Sequence, residues 1–330
     1  MQRHGSAGRN AACALDRAGW TAPRGGAKAA SFKVGISMSL RSIPSDMDGA
    51  KVAGIDGLLD RVVHEHGVFL PLAIESGSRA WGFASPDSDY DCRFVYVRRA
   101  ADHIKPWPVR DVIEFPLQDD YDANGWDLAK ALQLLLKGNT VIIEWLRSPV
   151  VYRGLAWFRD DFLAFARSVM SRDAIARHYL LLGERQRRVY FGDGTDVAQK
   201  RLFYALWPAA TLRWLRLHPT EAEAPMDFSS LMAGCDPPAA LQAEVAGLMR
   251  RKALTRELGN GPLPAVVAEF VDSEFGLART AFGDRGGGPV DIRPVDMRQQ
   301  AEQFYRTVVE RLEHEAQTGE AQGSVASIAS

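Results

Sequence analysis

Two aspartates stand one residue apart, Asp89-Tyr90-Asp91, ten residues after a Gly77-Ser78 pair. Residues 89 to 97 alternate in character, with Asp89, Asp91, Arg93, Val95 and Val97 on one side and Tyr90, Cys92, Phe94 and Tyr96 on the other, the period of a strand. At about 3.3 Å per residue the two carboxylates share a face about 7 Å apart between Cα atoms. Two ionised carboxylates so close repel, and a hard, oxygen-liganded cation such as Mg²⁺ is the usual way to stabilise them. The Gly77-Ser78 pair follows an apolar run, Val68 to Ile74, and can cradle phosphate. Glycine permits φ > 0 and close backbone approach, while backbone N–H groups and the Ser78 hydroxyl offer donors to phosphate oxygens. Either feature alone is weak. Their order, strand, Gly-Ser turn, then a strand carrying Asp-x-Asp, is what carries the signal.

The elements that must position these residues can be read from periodicity. Ile55, Leu58, Leu59, Val62 and Val63 form one helical stripe that Gly67 ends. Val68 to Ile74 is a strand, and Val112 to Leu117 and Tyr121 to Trp126 are strand candidates. Asp127 caps a helix in which Leu128, Ala131, Leu132 and Leu135 share a face and Gly138 is the stop. From about Asp160 the pattern is helical: Phe162 to Met170, Ile175 to Val189, Val197 to Leu217 with Pro208 as a kink, Ala239 to Leu258, Pro264 to Leu277, and Val295 to Glu315. The first half is mixed α/β and the second nearly all α.

The chain of 330 residues suits two domains and carries a formal net charge of -1, with 46% hydrophobic and 25% charged residues. That balance excludes a uniformly basic nucleic-acid coat, so a phosphate-binding surface must arise by local clustering. No apolar run is long enough to span a bilayer, and a cytoplasmic protein is expected. Cys13, Cys92 and Cys235 form no CxxC pair, which argues against zinc and disulfides, and Cys92 is expected in the core. Residues 1 to 48 are read as a disordered extension. The stretch 1 to 45 is rich in Arg, Lys, Gly, Ala and Ser and has Asp16 as its only acid. Met38 and Met47 offer later starts, and Gln317 to Ser330 is read as a loose tail.

The segment Ile74 to Val97 resembles the signature of polymerase-beta-like nucleotidyltransferases, a hydrophobic residue with Gly-Gly or Gly-Ser, a short gap, and Asp-x-Asp or Asp-x-Glu on the next strand. The closer resemblance is to the RNA repair pathway DNA polymerase beta family. It is carried by Ser76-Gly77-Ser78-Arg79-Ala80-Trp81-Gly82, Ser88-Asp89-Tyr90-Asp91, Gly125-Trp126-Asp127-Leu128, Lys130-Ala131-Leu132, Leu136-Lys137-Gly138-Asn139 and Glu144-Trp145-Leu146-Arg147-Ser148-Pro149, and covers about Leu70 to Leu217. The resemblance implies an α+β fold: a nucleotidyltransferase palm over 49–155, a C-terminal all-α domain over 156–316, and the active site in the cleft between them. It also implies a third carboxylate completing the metal site. Asp122 is the choice, because related members carry an aspartate at a strand edge just before the Trp126-Asp127-Leu128 helix start. Glu114 and Asp127 compete, the latter with a purely structural reading as a helix N-cap.

The implied chemistry is in-line attack by a substrate hydroxyl on the α-phosphorus of a nucleoside triphosphate, with pyrophosphate leaving. Mg²⁺ or Mn²⁺ would be held by Asp89, Asp91 and Asp122, in a two-metal arrangement with ions roughly 3.5 to 4 Å apart. Gly77, Ser78, Arg79, Lys130 and Lys200 are the expected nucleotide contacts. Between Arg172 and Arg216 there are nine Lys/Arg against four Asp/Glu, and Lys200-Arg201-Leu202-Phe203-Tyr204-Ala205-Leu206-Trp207-Pro208 resembles a family helix that faces the nucleotide. Ala129 and Trp207 depart from the arginines many relatives carry. Trp81, Trp126 and Trp145 are read as core, His178 as a packing residue, and Arg185, Arg187 and Arg188 as a solvated face. The expected acceptor is an RNA 3′ end, as in RNA repair or tRNA processing. Two other readings stay open: a nucleotide- or RNA-binding module without activity, and a toxin-antitoxin nucleotidyltransferase that modifies tRNA or a partner protein.

Overall fold

The structure, a computed structural model, describes residues 40–116, 120–255, 258–282 and 295–328, with side chains left out for 295 and from 319 onward. Helix α1 (Gly49–His66) starts where the Asp48 carboxylate accepts from the backbone N–H groups of Ala50 at 2.8 Å and Lys51 at 3.2 Å, and ends at Gly67, whose φ of 63° places it in the left-handed region. Its stripe Val52, Ile55, Leu58, Leu59 and Val62 is buried against one face of a six-stranded sheet, beside Leu70, Cys92, Phe94 and Tyr96.

That sheet has the order β1-β6-β2-β3-β5-β4, built from β1 (Leu40–Ser42), β2 (Phe69–Glu75), β3 (Tyr90–Val97), β4 (Val112–Glu114), β5 (Tyr121–Asp127) and β6 (Val151–Gly154). All pairings are antiparallel except β3 with β5, which run parallel and in register from Tyr90↔Tyr121 to Tyr96↔Asp127. The parallel pair brings the beginnings of two strands to the same edge. β2 is buried along its whole length, as expected of a central strand covered on both faces.

The second face of the sheet is covered by α3 (Leu128–Leu136), α4 (Val141–Arg147), α5 (Ala156–Val169) and α11 (Val295–Ile328). The four apolar positions of α3 predicted by spacing are its four buried residues. Side chains of α5 and α11 belong to this sheet-side core, although both follow residue 155. A second core gathers α6 (Arg172–Tyr190), α7 (Leu202–Leu217), α8 (Phe228–Gly234), α9 (Ala239–Leu254) and α10 (Ala265–Phe282). Helix α7 is buried nearly all round, so it is central to this group, and Pro208 lies inside it. A two-stranded ribbon pairs β7 (Val197–Ala198), which precedes α7, with β8 (Asn260–Gly261), which follows α9.

One short segment ties the two cores together. After β2 the chain forms a single helical turn, α2 (Gly77–Ala80), and Ala80 and Phe83 are buried in the helical core rather than the sheet's. Phe83 stacks on Phe203 at 4.6 Å between centroids and Trp81 stacks on Trp207 at 4.9 Å. Each such aromatic pair contributes roughly 0.5–1.5 kcal/mol beyond its buried area. The turn that follows β2 is therefore fixed from both sides.

Some expectations change. Leu40–Ser42 is an edge strand on β6, with Arg41 paired to Asp56, so ordered chain begins before the helical stripe that periodicity detects. Residues 1 to 39, with Cys13, Asp16 and Met38, lie outside the described residues. Residues 317–328, read as a loose tail, continue α11. Propagating an existing helix costs far less than nucleating one, so even a weak run prolongs it. Helices α4 and α8 and strand β6 were not anticipated. Each is short and apolar enough to be ambiguous by periodicity alone. Among the described residues no helix is long and apolar enough to cross a membrane. Cys92 and Cys235 are buried free thiols, and burial pushes the Cys235 thiol up to about 12.

Candidate active site

The edge where β2 ends and β3 begins gathers the predicted motif. The backbone N–H of Ser76 donates to the Asp91 carbonyl at 2.9 Å, which sets the end of β2 beside Asp91. Gly77 then turns with φ 63°, and a Cβ at this position would overlap the Asp91 carboxylate. Glycine is required here twice, by the left-handed backbone and by the closeness of the acid. Ser78 Oγ donates to Ser88 Oγ at 3.1 Å, and Ser88 Oγ accepts the Ser85 backbone N–H at 2.9 Å, so the loop ahead of β3 is folded back onto the Gly-Ser turn.

Arg79 has a different place from the one expected. Its guanidinium donates to the carbonyls of Ser88 at 2.6 Å and Asp89 at 3.2 Å and lies 4.0 Å over the Tyr90 ring. It ties down the backbone that carries the aspartates.

Asp89 immediately precedes β3, and Asp91 is its second residue. Both border a cleft of about 450 Å³, together with Gly77, Ser78 and Arg93. Parallel pairing sets Asp122 directly opposite Asp91 across the β3–β5 ladder. Arg93, two residues on along the same face, donates to Asp91 Oδ1 at 3.0 Å and to Asp122 Oδ2 at 2.7 Å. The Asp91 carboxyl is raised above its ordinary range, first by burial, then by the negative charges of Asp122 and Asp89, with Arg93 and Arg79 acting in the opposite sense. Asp89 and Asp91 thus border the cleft, and Asp122 stands beside Asp91 on the neighbouring strand.

The other candidates for a third acid stand elsewhere. Glu114 is exposed on the edge strand, opposite Asn124, and is ion-paired with Arg110. Asp127 caps α3, accepting from the Ala129 N–H at 2.8 Å, and pairs with Arg98 at 3.3 Å. It lies five residues beyond Asp122 on the same strand, about 17 Å away. Lys130 belongs to that distant end. It pairs with Asp111 at 3.0 Å, and the Asp111 carbonyl accepts from Asp127, so the structure does not bring Lys130 to the cleft where a nucleotide contact was expected.

Lys200 does border the cleft, from the helical side, with Arg201, Tyr204 and Lys252. This wall is basic where the sheet-side wall is acidic. Trp81, expected in the core, is half-buried and borders the same cleft, while Trp145 is buried and Trp126 packs on it at 4.3 Å. Trp207 is buried and stacked on Trp81. His178 is lowered by burial alone, in keeping with a packing residue, and Arg187 is ion-paired with Asp272.

Two residues of this region were missed. Glu75, the last residue of β2, is fully buried, accepts the Asp91 backbone N–H at 3.0 Å and is hydrogen-bonded by the Tyr152 hydroxyl. Burial pushes its carboxyl up to about 7. A charged residue closing an apolar run was the available signal. Lys252 comes from α9, more than 160 residues along the chain from the motif, and nothing in its local sequence points to the cleft.

Among the described residues no group of three or more His, Cys, Asp and Glu is drawn close enough to form a ready metal cluster, since Arg93 stands between Asp91 and Asp122. The donor set is nevertheless that of a hard cation: partly exposed carboxylate oxygens, those of Asp89 and Asp91 at a polar cleft, with Asp91 raised first by burial and then by the neighbouring acids.

Against known proteins, the model of the RNA repair pathway DNA polymerase beta family matches residues 53–298. The chain is also 36% identical over 217 residues to the uncharacterized protein YcgL of Bacillus subtilis (strain 168), covering 66% of this chain and 82% of that protein.

Proposed function

The chain belongs to the RNA repair pathway DNA polymerase beta family, and on that premise we propose that it is a metal-dependent nucleotidyltransferase that moves an NMP from an NTP to a hydroxyl acceptor, an RNA 3′ end in RNA repair or tRNA processing. The observation that carries this reading is the cleft itself, lined by Asp89 and Asp91, by the Gly77-Ser78 turn and by Lys200 and Arg201, with Asp122 paired to Asp91 on the neighbouring strand.

Mg²⁺ or Mn²⁺ would be held by Asp89 and Asp91 with Asp122 beside them, and when bound it supplies charge to the phosphates and acidity to the attacking hydroxyl. The protein's own groups do the rest by position. Ser78 and the backbone of the Gly77 turn bind phosphate oxygens. Lys200 offsets negative charge from the opposite wall. Arg79 and Glu75 hold the backbone that carries Asp89 and Asp91, so the acids are presented without rearrangement. We take 49–155 as the nucleotidyltransferase palm and 156–316 as the helical partner that closes the cleft, with α5 and α11 bracing the palm.

One observation favours a second reading. Arg93 already places a cation between Asp91 and Asp122, as would suit a module that binds nucleotide without turning it over. The readings separate on incubation of the full chain with Mg²⁺, bulk RNA and each of the four labelled NTPs. Transfer predicts label in RNA that is lost when the RNA 3′ ends are blocked by periodate oxidation. A binding module gives retained nucleotide and unlabelled RNA, and label in protein points to a protein acceptor instead.

A further inference from the structure

Helix α6 turns to solvent a stripe in which Arg177, Leu181, Arg185, Arg188 and Val189 recur at i, i+4, i+8, i+11 and i+12. All five are exposed, Leu181 at 68% and Val189 at 59%, so apolar surface is left uncovered between the arginines. The acids that could balance the stripe are engaged with other residues: Glu184 pairs with Arg279, and Asp272 with Arg187. Among the described residues none of Arg177, Arg185 and Arg188 has a carboxylate within ion-pair distance. Arg185 and Arg188 stand one helical turn apart, where like charges repel. An ordinary solvated face mixes the two signs, and this one does not. With five Arg against Asp173 and Glu184, α6 sums to +3, and since the whole chain sums to -1 the remainder sums to -4. A polyanion is therefore drawn to this helix and repelled by the rest of the chain.

The end of this helix meets the cleft. Tyr190, its last residue, packs 5.6 Å from the ring of Tyr204, which borders the cleft and is itself partly exposed. Arg201, which also borders the cleft, lies 4.5 Å over the Tyr190 ring. From Arg177 to Arg188 the helix rises about 16 Å, a span of several nucleotides. Guanidinium forks match phosphate oxygens, and tyrosine rings offer faces on which any base can stack. We propose that the RNA acceptor strand leaves the cleft over Tyr204 and Tyr190 and runs along the outer face of α6, with its phosphates on Arg177, Arg185 and Arg188 and its bases against Leu181 and Val189. The grip is on the backbone, so the track holds RNA without regard to sequence. This rests on RNA as the acceptor in the reading above, yet binding can be measured without turnover.

The test is fluorescence anisotropy of the full chain with a short labelled single-stranded RNA over a range of salt concentrations. The protein carrying Arg177→Gln, Arg185→Gln and Arg188→Gln together should bind it at least ten-fold more weakly than the wild type. Each single-strand phosphate contact contributes about 0.7 to the slope of log Kd against log salt, so the slope should fall by about 2. A control protein with Arg61→Gln, Arg250→Gln and Arg306→Gln loses the same charge from other exposed positions and should keep the wild-type Kd and slope to within about two-fold. Wild-type binding by the α6 protein, or an equal loss in the control, overturns the track. Should the α6 protein fail to fold, phenylglyoxal modification of the wild type decides: RNA must protect Arg177, Arg185 and Arg188 and leave Arg61 reactive, and unchanged modification overturns the proposal. RNA binding that depends on the three arginines, without label transfer from any NTP, leaves the track standing and removes the transfer reading. Transfer by the α6 protein with an unaltered KM for RNA does the reverse.

Discussion

Asp91 and Asp122 face each other across the one parallel pairing of the sheet, and a single guanidinium, Arg93, donates to both. The relationship follows from strand order. β3 and β5 both begin at the edge where β2 turns at Gly77, so acids near the starts of two different strands meet at one turn.

Replacing Asp122 by Asn should lower transfer by roughly two orders of magnitude if three carboxylates share the work. Glu114→Gln should leave it within a few fold, because that acid is on the exposed edge with Arg110. Asp127→Ala should cost about 1 kcal/mol of stability through loss of the α3 cap, and leave the KM for NTP unchanged. Steady-state kinetics and thermal melting of the three variants rank the candidates.

Gly77→Ala tests the turn. A side chain there meets the Asp91 carboxylate and forces a left-handed backbone on a non-glycine residue. The backbone alone costs roughly 1–2 kcal/mol. Transfer should fall at least a hundred-fold while melting drops by only a few degrees, and an active Gly77→Ala protein would show that Asp91 need not sit where it does.

Lys200→Met should raise the KM for NTP about ten-fold or more, with kcat less affected. Lys130→Met should change neither by more than about two-fold, since its partner is Asp111 at the far end of β5. A large KM effect in Lys130→Met would place the nucleotide elsewhere.

That Asp122 falls beside Asp91 while Lys130 falls far from it is a matter of strand geometry. Gly77-Ser78, Asp89 and Asp91 are local, and a two-residue period is enough to put both acids on one face. Arg93 falls on that same face by the same count. Asp122 needed the pairing of β5 with β3, which sequence spacing does not fix, and the family resemblance supplied it. Lys130 follows the same stretch but on the helix beyond, and a strand of seven residues carries it out of reach. Lys252 and the Phe83–Phe203 contact depend on how a loop of the sheet packs into helices far along the chain, so no local pattern announces them. The long helices of the second half were legible because apolar stripes repeat; β6, α4 and α8 were not, being four, seven and seven residues long.

A pH dependence of stability should arise at Glu144, which is half-buried with its carboxyl hydrogen-bonded by Tyr179 at 2.7 Å. Burial raises it from 4.5 to about 7. The folded state therefore holds a proton that the unfolded state releases between those values, and stability falls as pH rises from 4.5 to about 7, then levels. Glu144→Gln should remove that part of the slope. Relative to wild type it should be more stable at pH 8 than at pH 5 by an amount on the order of 3 kcal/mol. Urea unfolding at the two pH values measures it, and parallel pH profiles for the two proteins would contradict it.

The most direct test of the central claim follows the α-phosphorus. The full chain is incubated with Mg²⁺, RNA and either α- or γ-labelled NTP, beside an Asp91→Asn protein shown by melting to be folded. The account predicts α-label joined to acceptor, none from the γ position, and no transfer by Asp91→Asn or with the divalent ion chelated. Nucleotide bound by the wild type with no α-label in any acceptor, or equal labelling by Asp91→Asn, would contradict it.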